Sequence, residues 1–177
     1  MMTGALDEAA ELVRALDAKA PRHPETWLVR AVLAMQLGEH EPALASFAGA
    51  LARGANAYRA RLGMGMAMTA AGRYDEAWSL LCELSERYAS EERLAHALFR
   101  VGVALRRWEG LIPPLRRYLQ HHPDDHSIRF ALASVCVRAG ELREARVHFD
   151  ALEAAAPAYD GLAELRTELA REGRHAG

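Results

Sequence analysis

The sequence predicts an all-α protein built from repeated pairs of antiparallel helices. Alanine and leucine, which favour helices, are abundant, whereas valine and isoleucine are few and scattered. Four similar segments begin at positions 38, 72, 106 and 140, a constant step of 34 residues: "GEHEPALASF", "GRYDEAWSLL", "RRWEGLIPPL" and "GELREARVHF". Three of the four begin with glycine, the residue that most often ends a helix.

The step divides the chain into four repeats, at residues 24–57, 58–91, 92–125 and 126–159. We expect each repeat to hold two helices of about 14 residues, joined by a turn at its fifteenth position. The eighth and twentieth positions are mostly small, which lets the two helices approach closely. Proline at the thirty-second position of the last two repeats cannot continue a helix.

The third repeat departs from this pattern in its side-chain sizes. Arg106 replaces the turn glycine, and Phe99 and Leu111 replace the small residues. We expect Gly102 to offer the space that these larger side chains need.

Two consecutive prolines in the same repeat indicate an irregular turn. Pro113 and Pro114 would break a helix that begins at Trp108. We therefore expect a later start, near Gly110, which would place both prolines in the first turn of the helix. The turn from Arg106 to Ile112 would then be longer than its counterparts. This irregular turn is the first place to look for a specialised site.

The chain resembles the tetratricopeptide repeat (TPR) family in three features: the 34-residue period, "GRYDEA" at 72–77 and Trp27 in the first repeat. The resemblance covers nearly the whole chain. It implies one TPR domain over residues 1–177, folded as a right-handed superhelical solenoid of antiparallel helix pairs with about ten helices. It also implies that the protein binds other proteins.

The two ends of the chain resemble half-repeats. "GALDEA" at 4–9 matches "GRYDEA", so residues 4–23 are expected to supply only a second helix. Residues 160–173 are expected to form a C-terminal capping helix. Two explanations remain open: the ends are solubility caps, which solenoids need, or the chain is a segment of a longer array.

The stretch "RRYLQHHPDDH" at 116–126 is the densest cluster of groups that could ligate a metal or act in catalysis. In the repeat register it is instead a helix end, a proline and a helix start, where histidine and aspartate have local roles. Cys82 and Cys136 fall on faces that pack between helices. We therefore expect no catalytic residue, no cofactor and no metal.

The resemblance implies a ligand-binding groove along the first helix of each repeat. The groove changes from apolar to basic along the chain, so we expect a helical or extended partner segment that is amphipathic with an acidic end. The residues expected to contact it are Leu28, Val32, Met35, Arg59, Leu62, Met66, Arg93, His96, Arg100, Phe130, Ser134 and Arg138.

The sequence thus favours a non-enzymatic scaffold that binds a protein or peptide segment. The alternative is a regulatory or substrate-recruiting part of a larger enzyme, such as a glycosyltransferase or a kinase. A formal net charge of −2 argues against nucleic acid, and the apolar runs are too short for membrane insertion. The N-terminus lacks a signal-peptide pattern, so we expect a cytoplasmic protein. The terminal half-repeats also offer a surface for homodimerisation.

Overall fold

The computed structural model describes residues 11, 14, 15, 20 and 22–175. These residues form nine α-helices and no strand, which confirms the all-α prediction. The helices are α1 (Pro24–Gln36), α2 (His40–Ala52), α3 (Ala57–Ala70), α4 (Tyr74–Arg87), α5 (Glu92–Ala104), α6 (Trp108–His121), α7 (His126–Ala139), α8 (Leu142–Ala155) and α9 (Leu162–His175). The half-repeat expected at 4–23 lies almost wholly outside the described residues.

The helices pair as the repeat pattern predicts. The second helices α2, α4, α6 and α8 begin at residues 40, 74, 108 and 142, which preserves the constant step of the sequence. Side chains at several helix starts accept backbone hydrogen bonds: Asn56 caps α3 by accepting from the Arg59 N–H at 3.0 Å. The fold is therefore a series of two-helix repeats in register.

The chain divides into two compact units, Met1–Leu84 and Ser85–Gly177. Each unit has its own core, and each is described by itself below. The predicted single domain and the right-handed course of the helices stay predictions.

The first unit has a core of small alanines and larger apolar side chains. Ala31, Ala43 and Phe47 belong to this core and are almost fully buried. Glycines of α3 allow close contact between helices: a Cβ at Gly63 would lie 2.3 Å from the Phe47 ring.

The second unit is built from α5 to α9, with its first helices side by side. α7 contacts both α5 and α9. The core is made of large side chains that are fully buried, among them Leu94, Leu98, Leu111, Leu115, Ile128, Leu132, Phe149, Leu152 and Leu165. α9 begins at Leu162 and buries one apolar stripe, while its outer face is polar and exposed. The role of this helix as a cap stays a prediction.

The irregular turn of the third repeat keeps the length of its counterparts, so the predicted late helix start is wrong. α6 begins at Trp108, in phase with the other second helices. Arg106 adopts a left-handed conformation with φ 54°, in place of the glycines that have φ 75–79° at this position elsewhere. The Arg107 N–H then donates to the Gly102 carbonyl at 2.8 Å, as the corresponding amides do in the other repeats. An L-residue thus makes the turn that the sequence pattern assigns to glycine.

The two prolines consequently lie inside α6, at its sixth and seventh residues. Because proline has no N–H, the carbonyls of Glu109 and Gly110 lack their usual helical donors. Pro113 is exposed, whereas Pro114 is buried in the second unit.

The space expected at Gly102 is present. Leu111 is fully buried and leans over Gly102, where an added Cβ would lie 2.6 Å from both Cγ and Cδ2 of the leucine. The missing side chain on α5 thus offsets the large one on α6.

Candidate functional site

The second unit has an open cavity of about 920 Å³ on the side of its first helices. α5, α7 and α9 form its walls, and the rest comes from Arg106 of the turn between α5 and α6 and from Trp108, the first residue of α6. Its apolar and aromatic lining consists of Phe99, Val103, Trp108, Phe130, Val135 and Val137. Its polar lining consists of Arg106, Ser134, Arg138, Glu168, Arg171 and Glu172.

The aromatic part of the cavity is held in place by local packing. The Phe130 ring lies 5.4 Å from the Tyr159 ring, in a tilted arrangement. It also covers Gly161, where a Cβ would come within 2.8 Å of Phe130 Cζ. Gly161 has φ 83°, so both the backbone conformation and the contact require glycine. Phe130 therefore presents a fixed surface to the cavity.

The charged part of the cavity carries a small positive excess. Three arginines and two glutamates line it, a formal difference of +1. The Arg138 guanidinium lies 5.6 Å from the Trp108 ring centroid and 3.7 Å from a carboxylate oxygen of Glu168. Within residues 22–172, whose side chains the structure describes, neither Arg106 nor Arg171 forms an ion pair. Two guanidinium groups therefore remain able to bind an anion.

Part of the predicted groove coincides with this cavity. Phe130, Ser134 and Arg138 line it on α7. Residues 93, 96 and 100 are exposed on α5 but do not line it. The structure therefore brings together three of the six groove residues predicted for the second unit.

In the first unit, the predicted groove residues have differing environments. Leu28 and Leu62 are both 3% exposed and belong to the interior. Val32 is half exposed, and Met35 and Met66 are half-buried. Arg59 is already engaged, because its guanidinium contacts both carboxylate oxygens of Glu25, at 3.0 and 3.2 Å. Binding of a partner by these six residues stays a prediction.

Several lining residues were absent from the predicted groove. Phe99 and Arg106 were noted as departures from the repeat pattern, and Arg106 and Trp108 belong to the irregular turn that the sequence marks as the first place to look for a specialised site. Residues 168, 171 and 172 lie on the predicted capping helix. The sequence signal that could have indicated this cavity is that Phe99, at the eighth position, and Arg106, at the turn, both depart from the pattern in the third repeat.

The histidine-rich stretch forms the turn between α6 and α7. Asp125 caps α7 by accepting from the Ile128 N–H at 3.0 Å, and it also accepts from the Tyr118 hydroxyl at 2.8 Å. The His122 ring stacks on Tyr118 at 4.7 Å, and its Nε2 donates to the Ser90 carbonyl at 2.8 Å. Within the part of the chain that the structure describes, no group of three or more His, Cys, Asp or Glu residues could hold a metal ion. These side chains therefore serve the helix ends.

The two cysteines are both at least partly buried. Burial raises the pKa of the Cys136 thiol to about 12, so the thiol stays protonated at neutral pH. Cys82 is half-buried, and neither cysteine forms a disulfide. None of the nine described helices is both long and apolar enough to cross a bilayer.

Comparison with known proteins gives a structural match without a sequence match. No family model matches the chain, and no curated protein sequence matches it. Among solved structures, YrrB, "a TPR protein with an unusual peptide-binding site", has a TM-score of 0.75 at 22% identity over 93% of this chain and 83% of that chain. MamA from Desulfovibrio magneticus RS-1 has a TM-score of 0.72 at 18% identity over 90% of each chain.

PilF from Pseudomonas aeruginosa has a TM-score of 0.72 at 20% identity, over 98% of this chain and 84% of that chain. The chain therefore has the fold of the TPR proteins. The likeness shows a common fold and nothing further, because the sequence identities to these three proteins are 22% or less.

Proposed function

We propose that this protein is an interaction module, which binds a peptide segment of a partner protein in the cavity formed by α5, α7 and α9. The observation that carries this proposal is the cavity itself. Its volume of about 920 Å³ is within the range of ligand sites, and its lining combines aromatic rings with a few charged groups. The YrrB structure, described as having a peptide-binding site, supports the proposal by analogy of fold.

The lining supplies the two ingredients that peptide binding needs. The rings of Phe99, Trp108 and Phe130 can cover apolar side chains, and such burial contributes about 25 cal/mol per Å². The arginines can orient the peptide by charge-assisted hydrogen bonds. An amphipathic partner segment with an acidic end suits this combination. The proposal concerns the second unit alone, so the groove residues predicted for the first unit are not part of it.

The test blocks the cavity and asks whether peptide binding is lost. Dodecapeptides would be selected from a random phage-displayed library on the purified full chain. Each selected peptide would then be titrated against Ser134→Trp, which places an indole in the cavity from α7. The matched control is Ser79→Trp, at an exposed position of α4 that does not line the cavity. Circular dichroism would establish that both variants are folded.

We expect Ser134→Trp to weaken binding at least about tenfold, because the new side chain clashes with any occupant of the cavity. Ser79→Trp should leave the affinity unchanged. Equal affinities for the two variants would refute the proposal, and so would the failure of the library to yield any binding peptide.

A further inference from the structure

Arg106 occupies a backbone conformation that disfavours its own side chain. Its φ of 54° is the one positive value among the non-glycine residues of the described chain. The equivalent residues of the other three repeats are glycines, and a Cβ at any of them would meet nothing within 4 Å. Left-handed backbone costs free energy for an L-residue and almost none for glycine. The arginine is therefore kept at this turn at the expense of stability.

The Arg106 side chain lines the cavity, and it forms no ion pair with any side chain of residues 22–172. A strained residue that forms no stabilising pair, at the edge of a binding cavity, indicates a role in binding. A glycine there would make the same turn but would remove one of the three arginines. The gain from the arginine must therefore come from something that enters the cavity.

We propose that Arg106, together with Arg138, makes this cavity selective for a peptide carboxylate that neighbours an aromatic or other large apolar side chain. The inference rests on the proposed function and specifies the partner of the same site. It assigns a specificity-determining role to a residue that has left the repeat pattern.

The spacing of the groups supports a carboxylate next to an apolar residue. The Arg138 guanidinium lies 5.6 Å from the Trp108 ring centroid, and consecutive residues of a peptide have Cα atoms about 3.8 Å apart. Neighbouring peptide residues can therefore contact the cation and the ring together. Arg138 already lies near one carboxylate, because its guanidinium is 3.7 Å from a carboxylate oxygen of Glu168. That long contact leaves room for a better-placed carboxylate from a partner.

The charge of the cavity favours a carboxylate over a phosphate. A single carboxylate neutralises the formal excess of +1, whereas a phosphate dianion would reverse it and would also face the two glutamates on α9. An acidic peptide is therefore the better match, and a phosphopeptide becomes an outcome of the test.

The experiment uses four labelled octapeptides with capped ends, and measures their affinities for the full chain by fluorescence anisotropy. The first holds two phenylalanine–glutamate pairs. In the others, glutamine replaces glutamate, alanine replaces phenylalanine, or phosphoserine replaces glutamate. We expect the phenylalanine–glutamate peptide to bind most tightly.

The decisive variants separate charge from backbone strain. Arg106→Gly should weaken the phenylalanine–glutamate peptide by roughly fivefold while leaving the glutamine peptide unchanged, as expected for one partly exposed ion pair. The same variant should raise the urea midpoint of unfolding, because glycine adopts the turn without strain. Arg106→Asn, which also tolerates left-handed backbone but is neutral, should show the same loss of affinity. The matched control is Arg143→Gln, at an exposed arginine of α8 outside the cavity and outside the predicted groove, which should change neither affinity.

The outcomes distinguish this inference from the proposed function. If glutamate and glutamine peptides bind equally, and Ser134→Trp weakens both, the charge selectivity is wrong and the cavity still binds peptides. If Ser134→Trp weakens neither, the proposed function itself is wrong. Tighter binding of the phosphoserine peptide, an equal loss in Arg143→Gln, or no binding of the phenylalanine–glutamate peptide at millimolar concentration would each overturn the inference.

Discussion

Replacing Gly102 and Leu111 by alanine, singly and together, probes how the third repeat tolerates a large residue at a position that is elsewhere small. The two residues form a matched pair across α5 and α6, since an added Cβ at Gly102 would lie 2.6 Å from the leucine. The double variant restores the combination found in the first repeat, where the equivalent residues are Ala34 and Ala43. The pair should therefore be strongly coupled.

The expected free energies of unfolding follow from the packing. Gly102→Ala gains about 1 kcal/mol of helix propensity and loses about 2 kcal/mol from overpacking, a net destabilisation of about 1 kcal/mol. Leu111 is fully buried, so Leu111→Ala should cost about 3 kcal/mol. The double variant has no overpacking and keeps the helix gain, so it should cost about 2 kcal/mol instead of the additive 4 kcal/mol. The coupling is therefore about 2 kcal/mol.

Urea unfolding of the four proteins, followed by far-ultraviolet circular dichroism, measures this coupling. The comparison is valid where the slopes of the four transitions agree, because the slope reports the surface exposed on unfolding. Additivity of the two losses within about 0.5 kcal/mol would refute the reasoning, since independent sites behave in that way.

Three further predictions concern a turn, a helix and an ion pair. Gly161→Ala should lower the free energy of unfolding by about 3 kcal/mol and Gly54→Ala by only about 1 kcal/mol, because both have φ 83° but only the first added Cβ meets an aromatic ring; equal shifts in thermal unfolding would contradict this. Pro113→Ala should raise the stability by about 1–2 kcal/mol, because it restores an amide donor within α6; an unchanged or lower melting temperature would count against it. The Arg116 guanidinium, hydrogen-bonded to Glu144 at 2.9 and 2.6 Å, lowers the pKa of that carboxyl below its ordinary 4.5. The resulting stability is present above about pH 4.5 and is lost as pH falls through the lowered folded-state pKa. Arg116→Gln should therefore reduce the fall of the urea midpoint between about pH 6 and about pH 3. An equally steep fall in the variant would rule this out.

The repeat pattern predicts the helices well because each one is specified locally. Glycine at three of the four turns, small residues where the helices of three repeats meet and proline after the second helix of the last two repeats together fix the phase of the array. The compensation between Gly102 and Leu111 was also predictable, because the two departures from the pattern fall in the same repeat. Local chemistry of this kind is legible in a sequence without any knowledge of the tertiary fold.

The start of α6 was mispredicted because two local rules compete there. The rule against proline inside a helix argues for a late start, whereas the repeat register argues for Trp108. The register prevails, since Arg106 accepts the strained turn and the packed neighbours hold the helix through Pro113 and Pro114. Tertiary packing thus overrides the local preference against proline inside a helix, and a single sequence does not reveal that packing.

The cavity is harder to predict, because its walls come from three helices that are far apart in the chain. Phe130, Ser134 and Arg138 follow from the position of α7 in the register, but Glu168 and Arg171 enter only through the packing of α9 on α7. No periodicity in the sequence indicates which faces of these helices enclose a space.

The turn at the fifteenth position has a consequence for engineering. At residues 38, 72 and 140 a side chain would point into open space, so backbone strain is the sole obstacle to placing one there. Arg106 shows that the fold absorbs this strain without any change in helix phase. Each of the other three repeats therefore offers one turn position at which asparagine or arginine could replace glycine. Such substitutions could introduce a new binding specificity without changing the helices.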